Sequence, residues 1–344
     1  MNSKIKNLIK GIIVTCVFVM ALVITDHIVT LKSEDGYAQI QSYYKQIDNT
    51  VDVLFLGSSK VYCQIDTGIL WDEHGISAFD LGGAEAPAWN SYYYLKEALK
   101  TQNPKVILYD ASIIGYRQDV LFQPEVWLMT NSFGMHWNEN RINLIKDNCE
   151  DNKKFLEMMI PLGNMHARYN NLTKNDFIDK RNSINNKGFD YRNTTIEFET
   201  PDVSSMTTES FVFDEKHEKY LRSMIELSKE YSIPFVVMIT PYVVTPDHQG
   251  YFNYVEDICE QEGIKYIDFN KKYDELGLDF KTDMAEDMHV NLSGSEKLTK
   301  YLGYYIVENY DVADHRGDPL YSSWEVDAER NRNNRRMEEE KKEN

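Results

Sequence analysis

Two separated stretches of this chain carry residue types that can perform acyl transfer. Residues 51–62 read VDVLFLGSSKVY, an apolar run that stops at Gly57 and then presents Ser58 and Ser59. Residues 285–294 read AEDMHVNLSG, where Glu286 and Asp287 precede His289 by three and two positions. A serine hydroxyl is a poor nucleophile near neutral pH, so it needs a base to take its proton and donors to hold the oxyanion formed on attack. A histidine whose second ring nitrogen meets a carboxylate is such a base. A carboxylate this near in sequence reaches the imidazole only if the loop folds back on itself, which the Gly- and Asn-containing context allows.

Each stretch alone has a plainer reading. Gly-Ser-Ser after a strand is a common turn, because glycine and serine are turn residues, and a lone loop histidine is usually structural. Their joint placement, one at the first strand end and one ahead of the last helix, is what points to catalysis. Other chemistries lack their residues. GSSK does not have P-loop spacing, and LGGAEAP at residues 81–87 makes no dinucleotide fingerprint. Asp247 and His248 have no further ligands at metal spacing and read as rim, so neither cofactor nor metal is expected. The sequons at Asn171, Asn193 and Asn291 are short enough to arise by chance.

The elements that must position these residues are legible as periodicity. Five short, nearly continuous apolar runs, at 51–57, 76–83, 105–112, 234–240 and 264–270, read as strands covered on both faces. Helical patterns at 67–74, 89–100, 215–231 and 251–262 alternate with them, which predicts a parallel α/β sheet with helices on both sides. A last helix carries Leu298, Leu302 and Ile306 at helical spacing, and SGSE predicts a capping box with Ser293 as N-cap and Glu296 at N3. In open parallel sheets ligands sit at the carboxyl ends of strands. Ser58 and Ser59, Gly82 and Gly83, and Asp110 to Ser112 all fall there, so the serines and the His289 loop share one rim.

Residues 116–210 break the rhythm and read as an inserted cap over the sheet edge. Within them His166 and Arg168, in NMHARYNNLTKNDF, are candidate ligands for an anionic or sugar substrate, with a surface ion pair as the alternative. The end of the chain, AERNRNNRRMEEEKKEN, is a mixed-charge tail with no apolar face, and disorder is expected for it.

Composition bounds the setting. The chain has 344 residues, 42% of them hydrophobic, enough for a substantial core. A formal net charge of -18 excludes the basic footprint of a nucleic-acid binder. Lys4, Lys6 and Lys10 precede GIIVTCVFVMALVIT, and residues 8–31 are long enough to cross a bilayer. A signal peptide is the rival, but no small-x-small cleavage site follows and Cys16 lacks a lipoprotein context. The basic flank lies before the span, so the N-terminus is expected in the cytoplasm and the bulk of the chain outside it. Cys63, Cys149 and Cys259 have no CxxC spacing and read as buried thiols, with one bridged pair as the variant.

The strand followed by Gly-Ser-Ser, the Gly-Gly after the second strand and the Asp-x-His-x-Asn of residues 287–291 resemble the SGNH/GDSL hydrolase superfamily across about residues 51–309, apart from the insertion. The resemblance implies a flavodoxin-like three-layer sandwich, Ser59 as nucleophile, His289 as base, Asp287 or Glu286 as its partner, and an oxyanion hole from the N–H of Ser59 and of Gly82 or Gly83. The sequence departs from the family in carrying Ser58 where many members have Asp. YDASIIGY also stands where Gly-x-Asn-Asp is expected, which leaves Asn90 as a weak side-chain donor. The anchored architecture is similar to the branch holding the D-alanine transfer protein of lipoteichoic acid synthesis and the alginate O-acetylation proteins, which work beside membrane-bound O-acyltransferases.

These readings divide the chain into a cytoplasmic stub (1–7), an anchor (8–31), a connector (32–50), a hydrolase domain (51–115 and 211–315), the insertion (116–210) and the tail (316–344). The expected function is that of a membrane-anchored serine esterase or O-acyltransferase acting on cell-envelope polymers. The alternatives are a non-catalytic binding partner of a membrane-bound O-acyltransferase, or an esterase of phosphate or lipid head groups.

Overall fold

The computed structural model describes residues 3–33, 35–178 and 186–343. Parts of the expected stub, connector, insertion and tail, at 1–2, 34, 179–185 and 344, lie outside the described residues. The chain opens with α1 (Ser3–Val29) and a short α2 (Tyr37–Tyr43), then enters β1 (Val53–Gly57). Next come α3 (Ser59–Gln64), α4 (Thr67–His74), β2 (Ala78–Gly82), α5 (Ala88–Ala98), β3 (Val106–Asp110) and α6 (Ser112–Arg117). The segment between the third and fourth strands adds α7 (Glu125–Phe133), α8 (Glu139–Asp147), α9 (Asn152–Met159), α10 (Pro161–Met165) and α11 (Lys174–Ile178). The chain continues through α12 (Glu215–Glu230), β4 (Phe235–Ile239), α13 (Pro246–Glu262), β5 (Lys265–Asp268) and α14 (Tyr273–Leu276), and ends with α15 (Leu292–Asn309) and α16 (Ser322–Glu343).

All five expected strands form, and they pair in parallel in the order β2-β1-β3-β4-β5. This is the flavodoxin-like order, whose switch point lies between the carboxyl ends of β1 and β3. Side-chain alternation explains how both faces are covered. Leu54, Leu56, Ile107, Tyr109, Val237 and Ile239 pack on one side with Trp89, Leu221 and Phe252 of α5, α12 and α13. Val53, Phe55, Val106, Leu108, Val236 and Met238 pack on the other with Leu298, Leu302 and Ile306 of α15.

Four details differ from the sequence reading. Residues 32–50 are more than a polar connector, since α2 buries Ile40 and Tyr43 in the core. The insertion is helical where its periodicity was weak, because its helices are short and bury only part of their surface. The cap of α15 is Asn291 rather than Ser293, and its side chain accepts the N–H groups of Ser293 at 3.0 Å and Gly294 at 3.3 Å.

The fourth difference is the tail, which is a docked helix. Trp324, Ala328 and Asn331 of α16 are buried, and Arg335 pairs with Asp66 and with Glu296. The docking stripe runs Trp324, Ala328, Asn331, Arg335, at helical spacing but half polar. A hydropathy reading therefore misses it. All four cysteines are free thiols, so no pair is bridged.

Of the described helices only α1 is long and apolar enough to cross a membrane, by length and composition; a signal sequence passes the same test.

Candidate active site

The strand-to-helix turn after β1 sets the first half of the site. Gly57 has φ +154°, and a Cβ there would stand 2.8 Å from Val61 and 3.1 Å from Asp110, so the close approach of the β1 and β3 ends requires glycine. Ser58 is the N-cap of α3, its hydroxyl accepting from the Lys60 N–H at 3.3 Å. Ser58 is fully buried, whereas Ser59, the first residue of α3, is partly exposed. The buried serine shapes the turn and the accessible one faces the rim.

The second half is the loop ahead of α15. Met284 and Val290 form an isolated antiparallel bridge, and the N–H groups of Ala285 and Glu286 donate to the His289 carbonyl at 2.9 and 3.3 Å. This closed neck turns the loop back and delivers Glu286 to the histidine. Ser59 Oγ lies 2.8 Å from His289 Nε2, and Glu286 Oε1 lies 2.6 Å from His289 Nδ1. An ionised carboxylate can only accept, so Nδ1 carries the proton and Nε2 is left to accept from the serine hydroxyl. Asp287 is not in this chain of contacts; its backbone carbonyl accepts the Val243 N–H at 2.9 Å.

A buried cation holds the two halves together. Lys60 is fully buried, donates from Nζ to the Met288 carbonyl at 2.5 Å, and sits 3.6 Å over the Tyr242 ring. Gln64 donates to the same carbonyl at 3.3 Å. Two side chains of α3 thus grip the residue before His289 and fix its distance from Ser59. Burial lowers the Lys60 pKa to about 7, against the opposing pull of Asp110, Asp287 and Glu286. Asp110 closes the floor, its Oδ1 accepting from the Ser112 hydroxyl at 2.6 Å and the Thr240 N–H at 3.0 Å.

The same surroundings tune the histidine. Burial lowers the His289 pKa from its ordinary value, the Glu286 contact works against this, and Lys60 and Arg192 lower it further. This lowering favours the neutral imidazole that a general base needs. Its hydrogen bond holds Glu286 below the usual carboxylate range. Arg192, ion-paired with Asp190 at 3.1 Å and Asp35 at 3.6 Å, is a half-buried cation beside this pair.

Other candidates fall differently. The Gly83 N–H donates to the Gly57 carbonyl at 3.1 Å, so it is already engaged within the turn. The next N–H, of Ala84, donates to the Asn131 side chain at 3.0 Å, and that amide returns a bond to the Ala84 carbonyl at 2.8 Å. Gly82 is packed against Ser58, whose carbonyl would stand 2.7 Å from an added Cβ. Asn90 is buried on α5 beside the Tyr94 hydroxyl. The Ser59 N–H remains a candidate donor, because a first-turn N–H has no intrahelical acceptor. Arg168 donates to the Val29 carbonyl at 2.6 Å and pairs with Asp176 at 2.8 Å, while His166 contacts the Gly163 carbonyl at 2.9 Å. Neither bonds to Ser59, His289 or Glu286; both are committed to the exit of α1 and its neighbours.

Sequence reasoning missed Lys60, Arg192 and Asn131. A lysine after a serine reads as a solvated turn, and nothing in a linear pattern marks it as buried. Among the described residues no cluster of His, Cys, Asp or Glu is arranged to hold a metal ion. No protein-family model matches the chain, and no curated protein matches it significantly.

Proposed function

We propose that this protein is a membrane-anchored serine esterase or O-acyltransferase of the SGNH type, with its working domain outside the cytoplasm and acyl esters of cell-envelope polymers as substrates. The observation that carries the reading is the continuous contact from Ser59 Oγ through the His289 ring to Glu286, at 2.8 and 2.6 Å. Ser59 Oγ attacks the ester carbonyl carbon while its proton passes to His289 Nε2. The oxyanion faces the Ser59 N–H. Collapse breaks the bond to the leaving alcohol, which takes the proton from Nε2 and departs. Water, or a glycan hydroxyl, then gives its proton to Nε2 and attacks the acyl-enzyme, and Ser59 leaves reprotonated. Glu286 keeps the tautomer and stabilises the imidazolium that forms twice per turnover.

A second reading has its own support. With the Gly83 and Ala84 N–H groups engaged elsewhere, two of the backbone donors at this end of β2 are taken, as suits an SGNH-like domain that binds an acyl-bearing polymer or a membrane-bound O-acyltransferase without turning over. Labelling of the full chain by a fluorophosphonate probe separates the two. The enzyme reading expects labelling in the wild type and in Ser58→Ala, with loss in Ser59→Ala and His289→Ala. No labelling of the wild type sinks catalysis and leaves the binding role.

A further inference from the structure

The strongest unassigned feature is an apolar collar around the outer end of α1. Leu22, Val23 and Asp26 of α1 line a groove of about 460 Å³ together with Trp137, Ile160 and Leu162. Trp137 is 56% exposed and Ile160 60%, and they lie together in one groove. Isolated exposed apolar residues are ordinary, but a contiguous patch marks a surface that something covers.

The collar is fastened to α1 rather than resting beside it. The Leu162 N–H donates to Asp26 at 2.7 Å, Arg168 donates to the Val29 carbonyl at 2.6 Å, and Val29 packs with Tyr37, Phe133 and Met165. The depth is set by helix geometry. At about 1.5 Å per residue, the rise from Leu8 to Asp26 is roughly 27 Å, close to the hydrocarbon thickness of a bilayer. If α1 crosses one, Leu22 and Val23 lie about 5 Å inside its outer boundary. Trp137, Ile160 and Leu162, in the same groove, then stand at that boundary. Tryptophan prefers that level, and the Trp137 ring is held in place by the buried Arg141 guanidinium, 3.9 Å from it.

The geometry points to lipid as the occupant: the collar is a membrane-interfacial surface that seats the exterior domain on the outer leaflet. It is continuous with the exposed flank of α1, whose apolar window is wholly unburied by protein. The consequence reaches the serine. Six residues past the end of α1, Asp35 contacts Tyr62 at 3.3 Å and Arg192 at 3.6 Å, and six residues of chain span at most about 20 Å. The rim of the site is therefore held near the bilayer, and the class of substrate it takes is an ester or acceptor tethered to the membrane rather than one far out in the envelope. This rests on the anchored reading of α1.

The test uses the full-length protein in nanodiscs containing lipids brominated near the head group. Of the five tryptophans, Trp71, Trp89 and Trp324 are fully buried and Trp127 is half-buried, so the contact quenching that Trp137→Phe removes reports on Trp137 and should be up to about a fifth of the emission. Adding Ile160→Trp to Trp137→Phe should restore it. Equal quenching with and without Trp137, or none in either, overturns the collar and leaves the patch to a protein partner. Intact mass of the same sample distinguishes the failures: loss of α1 sinks the anchored reading itself, whereas unquenched protein that retains α1 sinks only the collar. Fluorophosphonate labelling is independent of both.

Discussion

Replacing Glu286 by Gln keeps the shape of the side chain and removes its charge, so it isolates what the carboxylate does for His289. The two groups meet at 2.6 Å, but the Glu286 side chain is 52% exposed. Two unit charges about 4 Å apart are worth about 1 kcal/mol in water and about 4 kcal/mol at a surface-like effective dielectric. Half exposure places this pair toward the lower end, at about 1–2 kcal/mol. Lost from the imidazolium-like transition state, that is roughly a 5- to 30-fold fall in kcat/KM for a simple ester such as p-nitrophenyl acetate. It is far smaller than the loss at a buried triad aspartate. The pH profile carries the sign. Glu286 raises the His289 pKa against burial, so in Glu286→Gln the acid limb, where activity is lost as the imidazole protonates, should move to lower pH. Asp287→Asn, whose side chain makes no contact with the ring, should stay within about twofold of wild type. If Asp287→Asn collapses turnover while Glu286→Gln does not, or if the limb moves upward, the assignment of the acid is wrong.

Lys60→Met removes both a grip on the Met288 carbonyl and a cation that lowers the His289 pKa. Turnover should fall about tenfold, and the acid limb should move to higher pH, opposite to Glu286→Gln; a shift in the same direction would falsify the electrostatic account. Arg335→Met leaves Asp66, whose side chain is wholly inaccessible, without its ion-pair partner. It should destabilise the protein by about 3 kcal/mol in urea unfolding, and a change under 0.5 kcal/mol would show that the docked tail is dispensable. His217 is fully buried, and burial lowers its pKa to about 4. Between pH 6.5 and about 4 the unfolded chain takes up a proton that the folded one refuses, so stability should decline as pH falls through that window, by roughly 3 kcal/mol in all. His217→Phe should flatten this part of the stability curve, and an unchanged slope argues against a neutral buried imidazole.

The strands and the main helices were readable because each is a local pattern that burial imposes on sequence. The apolar runs at 53–57, 78–82, 106–110 and 235–239 are strands buried throughout their length, and α4 matches its expected limits. The tail was misread for the converse reason. The docking face of α16 buries Asn331 and Arg335 against Asp66, so its driving contacts are polar and lie some 265 residues away in sequence. Its own composition contains no trace of the partner.

The linear chain by itself determined the parts: a nucleophile-type serine at the end of the first strand, a histidine with two nearby acids ahead of the last helix, and an apolar segment at the front. These depend on neighbours within a few residues, where periodicity and turn chemistry operate. Only the folded chain decided that Glu286 and not Asp287 reaches the imidazole, that Gly83 spends its N–H inside the turn and Ala84 on the Asn131 side chain, and that Lys60 lies beneath the His289 loop. Those outcomes depend on the closed neck at Met284 and Val290 and on contacts across more than two hundred residues. Hydrogen bonding is directional and effective over about 3 Å, a scale that sequence spacing does not specify.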